Sequence, residues 1–177
     1  MKKVRLATLW LDGCSGCHMS FLDTDEKLLE LADKIEVVFS PLVDNKKFPD
    51  KVDVTLVEGS VSSDEDLRKI KQIRSKTKLL VSLGDCAVTG NIPSMRNQFG
   101  VNAVLRRAYV ENVTIGGKIP DIDLPVLLTV VRPVHEVVKV DVYLPGCPPP
   151  ADAIYYMLTE LVAGRVPNLE QQSRFGR

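Results

Sequence analysis

Apolar runs that lead directly into cysteine-bearing turns constrain the fold of this chain more than any other feature of its sequence. The three runs are Val4–Trp10, residues 78–83 and residues 140–144. Their nearly continuous apolar character is typical of parallel strands buried on both faces of a sheet. The cysteines that follow them are Cys14, Cys17, Cys86 and Cys147. Because the carboxyl ends of parallel strands meet at one edge of a sheet, we expect all four thiols to lie together there.

Helix and strand signals alternate along the rest of the chain. We expect further strands at Ile35–Phe39 and 52–57, and helices over 20–32, after the N-cap Ser63, and over 151–163 before Gly164. This alternation predicts a single three-layer α/β domain over residues 1–177 with a mainly parallel sheet. Proline and glycine interrupt the pattern over 92–138, which we interpret as a long excursion, and residues 167–177 form a polar tail.

The charge balance argues against nucleic acid as a partner. Acidic and basic residues number 23 each, so the formal net charge is zero and a nucleic-acid-binding role is not expected. No apolar run approaches the ~20 residues that span a bilayer, and the basic start lacks the features of a signal peptide. We therefore expect a cytoplasmic chain without membrane contact, where a set of cysteines more often binds metal than forms structural disulfides.

Four cysteinates suit either an iron–sulfur cluster or zinc. Structural zinc sites commonly use two close cysteine pairs, whereas this chain has one Cys-x-x-Cys pair and two distant single cysteines. Glycines beside the cysteines would let backbone N–H groups approach the sulfurs. The residues of the cysteine loops that we single out are the glycines Gly13, Gly16, Gly84 and Gly146, together with Pro148. The pattern favours one 4Fe–4S cluster, with a zinc tetrathiolate and a thioredoxin-like redox pair as alternatives.

Four segments taken together resemble the small subunit of nickel–iron hydrogenases. They are LDGCSGC at 11–17, VEG at 57–59, GDC at 84–86 and PGCPP at 145–149. Shorter likenesses at 18–23, 86–91, 95–97 and 104–109 extend the resemblance over nearly the whole chain. It points to the short, cytoplasmic, NAD-linked bidirectional type. Complex I relatives carry two adjacent cysteines in their first motif, so the spacing of Cys14 and Cys17 favours hydrogenase over a quinone reductase.

The resemblance implies a flavodoxin-like fold in which the four cysteines hold the proximal 4Fe–4S cluster. It implies an obligate large subunit that carries the NiFe centre. It also implies diaphorase subunits that carry FMN, further clusters and the NAD site. This chain would relay electrons between the NiFe centre of the large subunit and the diaphorase subunits, and it would not be catalytic alone. A complex I-like quinone reductase subunit and a non-enzymatic zinc protein stay open as alternatives.

Expectations also follow for several residues outside the cysteine motifs. Glu58 ends the third strand and should face the cysteine edge, where it is either a proton relay or a residue that orders the loops. Asp85 is expected to order the Cys86 loop. His18 could donate to a cluster sulfur, cap a turn or meet a partner, but is not expected to be a ligand. We expect Trp10 in the core and His135 in a structural or interface role.

Overall fold

The computed structural model describes residues 3–170 and 172, and five strands in it form one parallel sheet. The strands of the described chain are β1 (Val4–Trp10), β2 (Ile35–Phe39), β3 (Val52–Glu58), β4 (Val61–Ser63), β5 (Thr77–Leu83), β6 (Leu127–Arg132) and β7 (Val142–Leu144). The sheet order is β2–β1–β3–β5–β7, and every neighbouring pair is parallel. This is the strand order of flavodoxin-like folds, in which ligands lie beyond the carboxyl ends of the strands.

Helices cover both faces of the sheet. The α-helices are α1 (Gly16–Leu22), α2 (Lys27–Ala32), α3 (Asp64–Lys76), α4 (Asp85–Thr89), α5 (Asn91–Ser94), α6 (Val101–Arg106) and α7 (Ala151–Val162). Short 3-10 turns at Met95–Gln98 and Val134–Glu136 and a π turn at Arg107–Glu111 complete the described elements. None of the helices in this part of the chain is both long and apolar enough to cross a bilayer.

Strand side chains alternate between two apolar layers. Leu6 and Leu56 point to the layer formed with α1, α2 and α7, where Met157 is fully buried. Ala7 and Val57 point to the opposite layer, which α3 closes with buried side chains such as Ile70. Successive residues of a strand face opposite sides, so a doubly covered sheet requires the continuous apolar runs seen in the sequence. The predicted three-layer α/β fold is confirmed.

Helix α3 begins as its sequence predicts. Ser63 Oγ accepts the Asp66 N–H at 3.1 Å, and an Asp66 carboxylate oxygen accepts the Ser63 N–H at 3.0 Å. This reciprocal capping box satisfies two amide donors that the first helical turn leaves without helical partners.

The single helix expected over 20–32 is wrong. Two helices occupy that segment, and the first begins four residues earlier, at Gly16. Asp25 between them has a φ of +48°, which no α-helix accommodates. Thr24 Oγ1 also donates to the Phe21 carbonyl at 2.7 Å, so side-chain bonding ends the first helix locally.

The excursion over 92–138 contains more regular structure than its sequence suggests. The excursion contains β6, which pairs antiparallel with β4. Strand β4 lies outside the excursion and has only three residues, and the sequence pattern did not predict it. Asn97 clamps this small sheet, because its side chain donates to the Val131 carbonyl at 2.9 Å and accepts the Val131 N–H at 2.8 Å. Of the predicted tail, residues 167–170 and 172 are outside helices and strands, and 171 and 173–177 lie outside the described residues.

Candidate metal centre

The four cysteines converge on one small cavity at the carboxyl edge of the parallel sheet. The cavity is lined by Cys14, Gly16, Cys17, Glu58, Asp85, Cys86, Gly146, Cys147 and Pro148. Its volume is about 60 Å³, several times the roughly 10–15 Å³ that one water needs. The convergence expected from the strand ends therefore occurs, and it brings together every loop that carries a cysteine.

Each cysteine reaches the cavity from a different local structure. Cys14 is exposed and lies in the turn after β1, in which Ser15 adopts a left-handed φ of +70°. Cys17 is the second residue of α1 and is buried, whereas Cys86 is half-buried in the first turn of α4. Cys147 is exposed, follows β7 and precedes a cis-proline. Two thiols thus lie against the core and two at the surface.

Asp85 joins the loops of Cys86 and Cys147. Its Oδ1 accepts the Gly146 N–H at 2.7 Å, and its own N–H donates to the Gly146 carbonyl at 2.8 Å. The Gly84 N–H donates to Leu144 O, also at 2.8 Å. The loop-ordering role expected for Asp85 is confirmed. These contacts use the N–H donors of Gly84 and Gly146, and the expectation that glycine lets backbone N–H groups approach the sulfurs stays a prediction.

The glycines provide space. A Cβ at Gly84 would lie 2.2 Å from Cys17 Sγ, and one at Gly16 would lie 3.2 Å from Cys14 Sγ. Gly13 passes Gly59 so closely that its Cβ would meet the Gly59 Cα at 3.3 Å. At these positions the loops approach the sulfurs, or one another, more closely than a side chain would permit.

A buried hydrogen-bonded chain leads away from the cavity through Glu58. One of its carboxylate oxygens, Oε2, accepts the His18 N–H at 2.9 Å and also contacts His18 Nδ1. His18 Nε2 lies 2.9 Å from Thr8 Oγ1, which donates to Ser40 Oγ at 2.8 Å. All four side chains are buried. His18 therefore bonds to Glu58 and Thr8 rather than to a sulfur, and Glu58 faces the cysteine edge as expected.

Burial and mutual repulsion oppose ionisation of the inner thiols. Burial is the largest cause that raises the pKa of Cys17, and the Glu58 carboxylate and the other three cysteines add to it. Burial likewise raises the pKa of Cys86, followed by the charges of Cys147 and Cys14. Thiolates are the metal-binding form of cysteine. A cationic centre among the four sulfurs would offset this repulsion, so the donor set suits a metal group.

The four cysteines surround one cavity, and this bears on the choice between a single ion and a cluster. Within the described residues, no set of three or more His, Cys, Asp or Glu side chains forms a group that could hold a metal ion. A zinc tetrathiolate would need all four sulfurs within about 2.3 Å of one ion. A cluster requires only one iron near each cysteine. Four cysteines around one cavity meet this requirement of a cluster.

Trp10 and His135 lie outside the cavity lining. Asn91, for which no role was expected, contacts a cysteine. Trp10 was expected in the core but is 45% exposed and lines a groove with Phe39, so that expectation is wrong. His135 is exposed, and its ring packs edge-on against Tyr143. Asn91 was missed: its Nδ2 lies 3.5 Å from Cys147 Sγ. Its position directly after Gly90 in the segment 86–91 was the available signal.

Comparison with known proteins agrees with this geometry. The family model described as NADH ubiquinone oxidoreductase, 20 Kd subunit, matches residues 14–161. The delta subunit of the NAD-reducing hydrogenase HoxS from Cupriavidus necator is 45% identical over 168 residues, which cover 92% of this chain and 80% of that subunit. A subunit of the F420-non-reducing hydrogenase from Methanothermobacter marburgensis is 38% identical over 92% of this chain, which spans only 54% of that relative.

Solved structures give the same result at the level of the fold. A chain in the crystal structure of an NAD+-reducing NiFe hydrogenase in the H2-reduced state superposes with a TM-score of 0.93 at 41% identity. That superposition covers 98% of this chain and 99% of the other. A NiFeSe hydrogenase chain from Desulfomicrobium baculatum shares the fold at a TM-score of 0.57 and 21% identity, and 69% of it is covered.

Proposed function

Because the chain belongs to the NADH ubiquinone oxidoreductase 20 Kd subunit family, and within it to the small subunits of NAD-reducing nickel–iron hydrogenases, we propose that it relays electrons through one 4Fe–4S cluster held by its four cysteines. The observation that carries this proposal is the convergence of Cys14, Cys17, Cys86 and Cys147 on one cavity. As part of a hydrogenase the chain is a subunit of an oxidoreductase and supplies no substrate site of its own.

In this proposal each cysteine supplies one thiolate, and the surrounding loops hold the thiolates in place. The bonds of Asp85 fix the Cys86 loop to the Cys147 loop, so two ligands move as one unit. The close approach at Gly84 holds the Cys17 sulfur at the cavity wall. A bound 4Fe–4S cluster supplies reversible one-electron storage. The protein's part is to keep the ligand geometry unchanged between the two oxidation states.

Glu58 is the residue for which a proton-handling role is proposed. Its carboxylate lines the cysteine cavity, while one oxygen is held by the backbone and the ring of His18. His18 Nδ1 contacts Glu58 Oε2 and His18 Nε2 lies 2.9 Å from Thr8 Oγ1, so polar atoms continue from the cavity to Thr8. This series of hydrogen-bonded side chains can orient the Glu58 carboxylate at the cluster edge and pass a proton between Glu58 and His18.

The proposed partners follow from the family. The C. necator relative is named as a subunit of an NAD-reducing hydrogenase. We therefore propose a large subunit carrying the NiFe centre as the obligate partner. Diaphorase subunits with FMN, further clusters and the NAD site would be the electron acceptors. Exposed apolar side chains in the segment that follows Asn91, including Ile92 at 64% and Met95 at 59%, support a partner surface in this part of the chain. We propose a cytoplasmic location, in which a set of cysteines more often binds metal than forms structural disulfides.

Elemental analysis of the complex, isolated anaerobically through a tag on this chain, tests the metal assignment. We expect at least about four iron and four acid-labile sulfide per copy of this chain, since the further clusters of the diaphorase subunits add to that number, together with nickel from the large subunit and no stoichiometric zinc. Zinc in place of iron would contradict the proposal. Iron without nickel would instead favour the quinone reductase alternative.

A pair of variants on helix α4 tests the role of the ligands. Cys86→Ser removes one proposed ligand with almost no change in volume, and we expect loss of the cluster and of hydrogen-driven NAD reduction. Thr89→Ser is the matched control, because it lies one turn further along the helix and keeps the hydroxyl that donates to the Asp85 carbonyl at 2.8 Å. A Cys86→Ser complex with wild-type iron content and activity would refute the assignment.

A further inference from the structure

Asn91 occupies a turn that is held in place from two sides. It opens α5 directly after Gly90, and its φ of +30° is uncommon for any residue with a side chain, although asparagine is among the types that adopt positive φ. Ser60 Oγ lies 2.7 Å from the Cys86 carbonyl oxygen and 3.1 Å from the Gly90 carbonyl oxygen, so its one proton is shared between the two carbonyls. Ser94 Oγ donates to the Asn91 carbonyl at 2.8 Å. The backbone at this point is therefore fixed, and so is the direction in which the Asn91 side chain leaves it.

That direction brings the amide group to a proposed cluster ligand. Asn91 Nδ2 lies 3.5 Å from Cys147 Sγ, between residues 56 positions apart in sequence. An amide nitrogen can only donate, so the contact is an N–H···S hydrogen bond. Cys147 is exposed whereas Cys17 is buried. A directed donor can thus act on the Cys147 sulfur, where burial in the protein has little effect.

We propose that Asn91 raises the reduction potential of the iron–sulfur centre by donating this hydrogen bond to Cys147. The inference rests on the proposed function, because it requires a cluster bound by Cys147. Adding an electron to the centre increases the negative charge on the cysteine sulfurs. A donor stabilises that charge more in the reduced form than in the oxidised form, so the potential rises. The positive φ and the pinned turn are then the means by which the fold aims the amide.

Three substitutions separate hydrogen bonding from other effects. Asn91→Leu removes the donor, keeps a similar volume and keeps water away from the sulfur. Asn91→Gly also removes the donor, and glycine suits the positive φ. It therefore tests the loss of the hydrogen bond if the leucine variant fails to assemble. Asn91→Gln keeps an amide and is the rescue variant. Asn112→Leu is the control for surface polarity, since Asn112 lies in the same excursion but lines a different cavity.

The experiment is an EPR-monitored redox titration of the anaerobically isolated complex. At a fixed solution potential we expect the ratio of reduced to oxidised cluster to fall by up to about tenfold in Asn91→Leu and Asn91→Gly. A tenfold change corresponds to about 59 mV for a one-electron couple. Asn91→Gln should recover at least part of the shift, and Asn112→Leu should match the wild type. A merely structural role would change cluster content without this ordered shift in potential.

The failures of the inference and of the proposed function have different signatures. Wild-type iron and sulfide with an unchanged or raised potential in both donor-lacking variants would overturn the role of Asn91 and leave the cluster assignment intact. Equal shifts in Asn91→Leu and Asn112→Leu would also overturn it, because the effect would not depend on the bond to Cys147. A complex whose iron and sulfide content does not fall when Cys86 is replaced by serine would overturn both proposals together.

Discussion

Replacing Gly84 by alanine should abolish cluster binding, because the new methyl group would occupy the position of a ligand. The added Cβ would lie 2.2 Å from Cys17 Sγ, and ordinary contact begins near 3.4 Å. To reach ordinary contact the sulfur would have to move by about 1.2 Å, about half the length of a metal–sulfur bond. Cys17 is packed within the core layer that contains Leu83 and Leu144, so it cannot retreat without opening that layer.

Gly100 provides a closely matched control. It precedes α6 with φ 76° and ψ 153°, and Gly84 precedes α4 with φ 82° and ψ 161°. This region of backbone space is almost restricted to glycine, so an alanine at either position should cost about 1–3 kcal/mol of backbone strain. A Cβ at Gly100 meets nothing within 4 Å. The difference between the two variants therefore isolates the collision with the Cys17 sulfur.

The assay is iron and sulfide content together with denaturant unfolding of the full chain. Gly100→Ala should lose about 1–3 kcal/mol of stability and keep the wild-type cluster content. Gly84→Ala should lose at least as much stability and most of its iron. If the two variants bind iron equally well, Cys17 Sγ does not lie against Gly84 in the folded protein, and the geometric account of this loop is wrong.

Three further predictions concern the framework around the site. His18→Leu leaves the buried Glu58 carboxylate without its ring partner, so we expect a loss of about 3 kcal/mol in urea unfolding, and wild-type stability would refute the buried contact. Burial works to raise the pKa of Asp141, but the Leu80 N–H and the Arg74 guanidinium outweigh it and hold that pKa below its usual range. The resulting stabilisation is present above pH ~4 and is lost as pH falls through the lowered pKa. Arg74→Met should therefore cost about 1 kcal/mol at pH 7 and progressively less below pH 4, whereas a pH-independent difference would contradict this. Ser63→Ala should cost about 1 kcal/mol and lower the Tm by about 2–4 °C, because the α3 capping box loses its hydroxyl, and an unchanged Tm would contradict the cap.

The parallel sheet and the meeting point of the cysteines could be predicted because both depend on local pattern plus one topological rule. A doubly buried strand needs a continuous apolar run, and parallel strands place their following loops at one edge. That rule holds even though Cys14 and Cys147 are 133 positions apart in sequence. The Ser63 cap was predictable for the same reason, since its partner Asp66 lies within the same turn.

What could not be predicted depends on contacts between distant segments or on single dihedral angles. The three-residue strand β4 exists because β6 pairs with it from 64 to 71 positions away, and three residues carry no periodic signal of their own. The break between α1 and α2 follows from the positive φ of Asp25, a conformation that the surrounding sequence does not specify. Trp10 ends an apolar run, yet its ring is partly exposed because β1 ends there, so the pattern could not distinguish it from core residues.

The buried polar contacts of His18 connect the cysteine edge to the central strands of the sheet. A carboxylate among four cysteines is electrostatically unfavourable, and Glu58 indeed contributes to the raised pKa of Cys17. The carboxylate is retained there through bonds to the backbone and the ring of the residue that directly follows Cys17. The same ring then reaches Thr8 on β1, so the start of α1 is tied to two central strands by polar contacts within an otherwise apolar layer. An apolar pair would generally stabilise such a position as well or better. The cost of burying this network is therefore best explained by the orientation of Glu58 toward the cysteine cavity, which an apolar replacement could not provide.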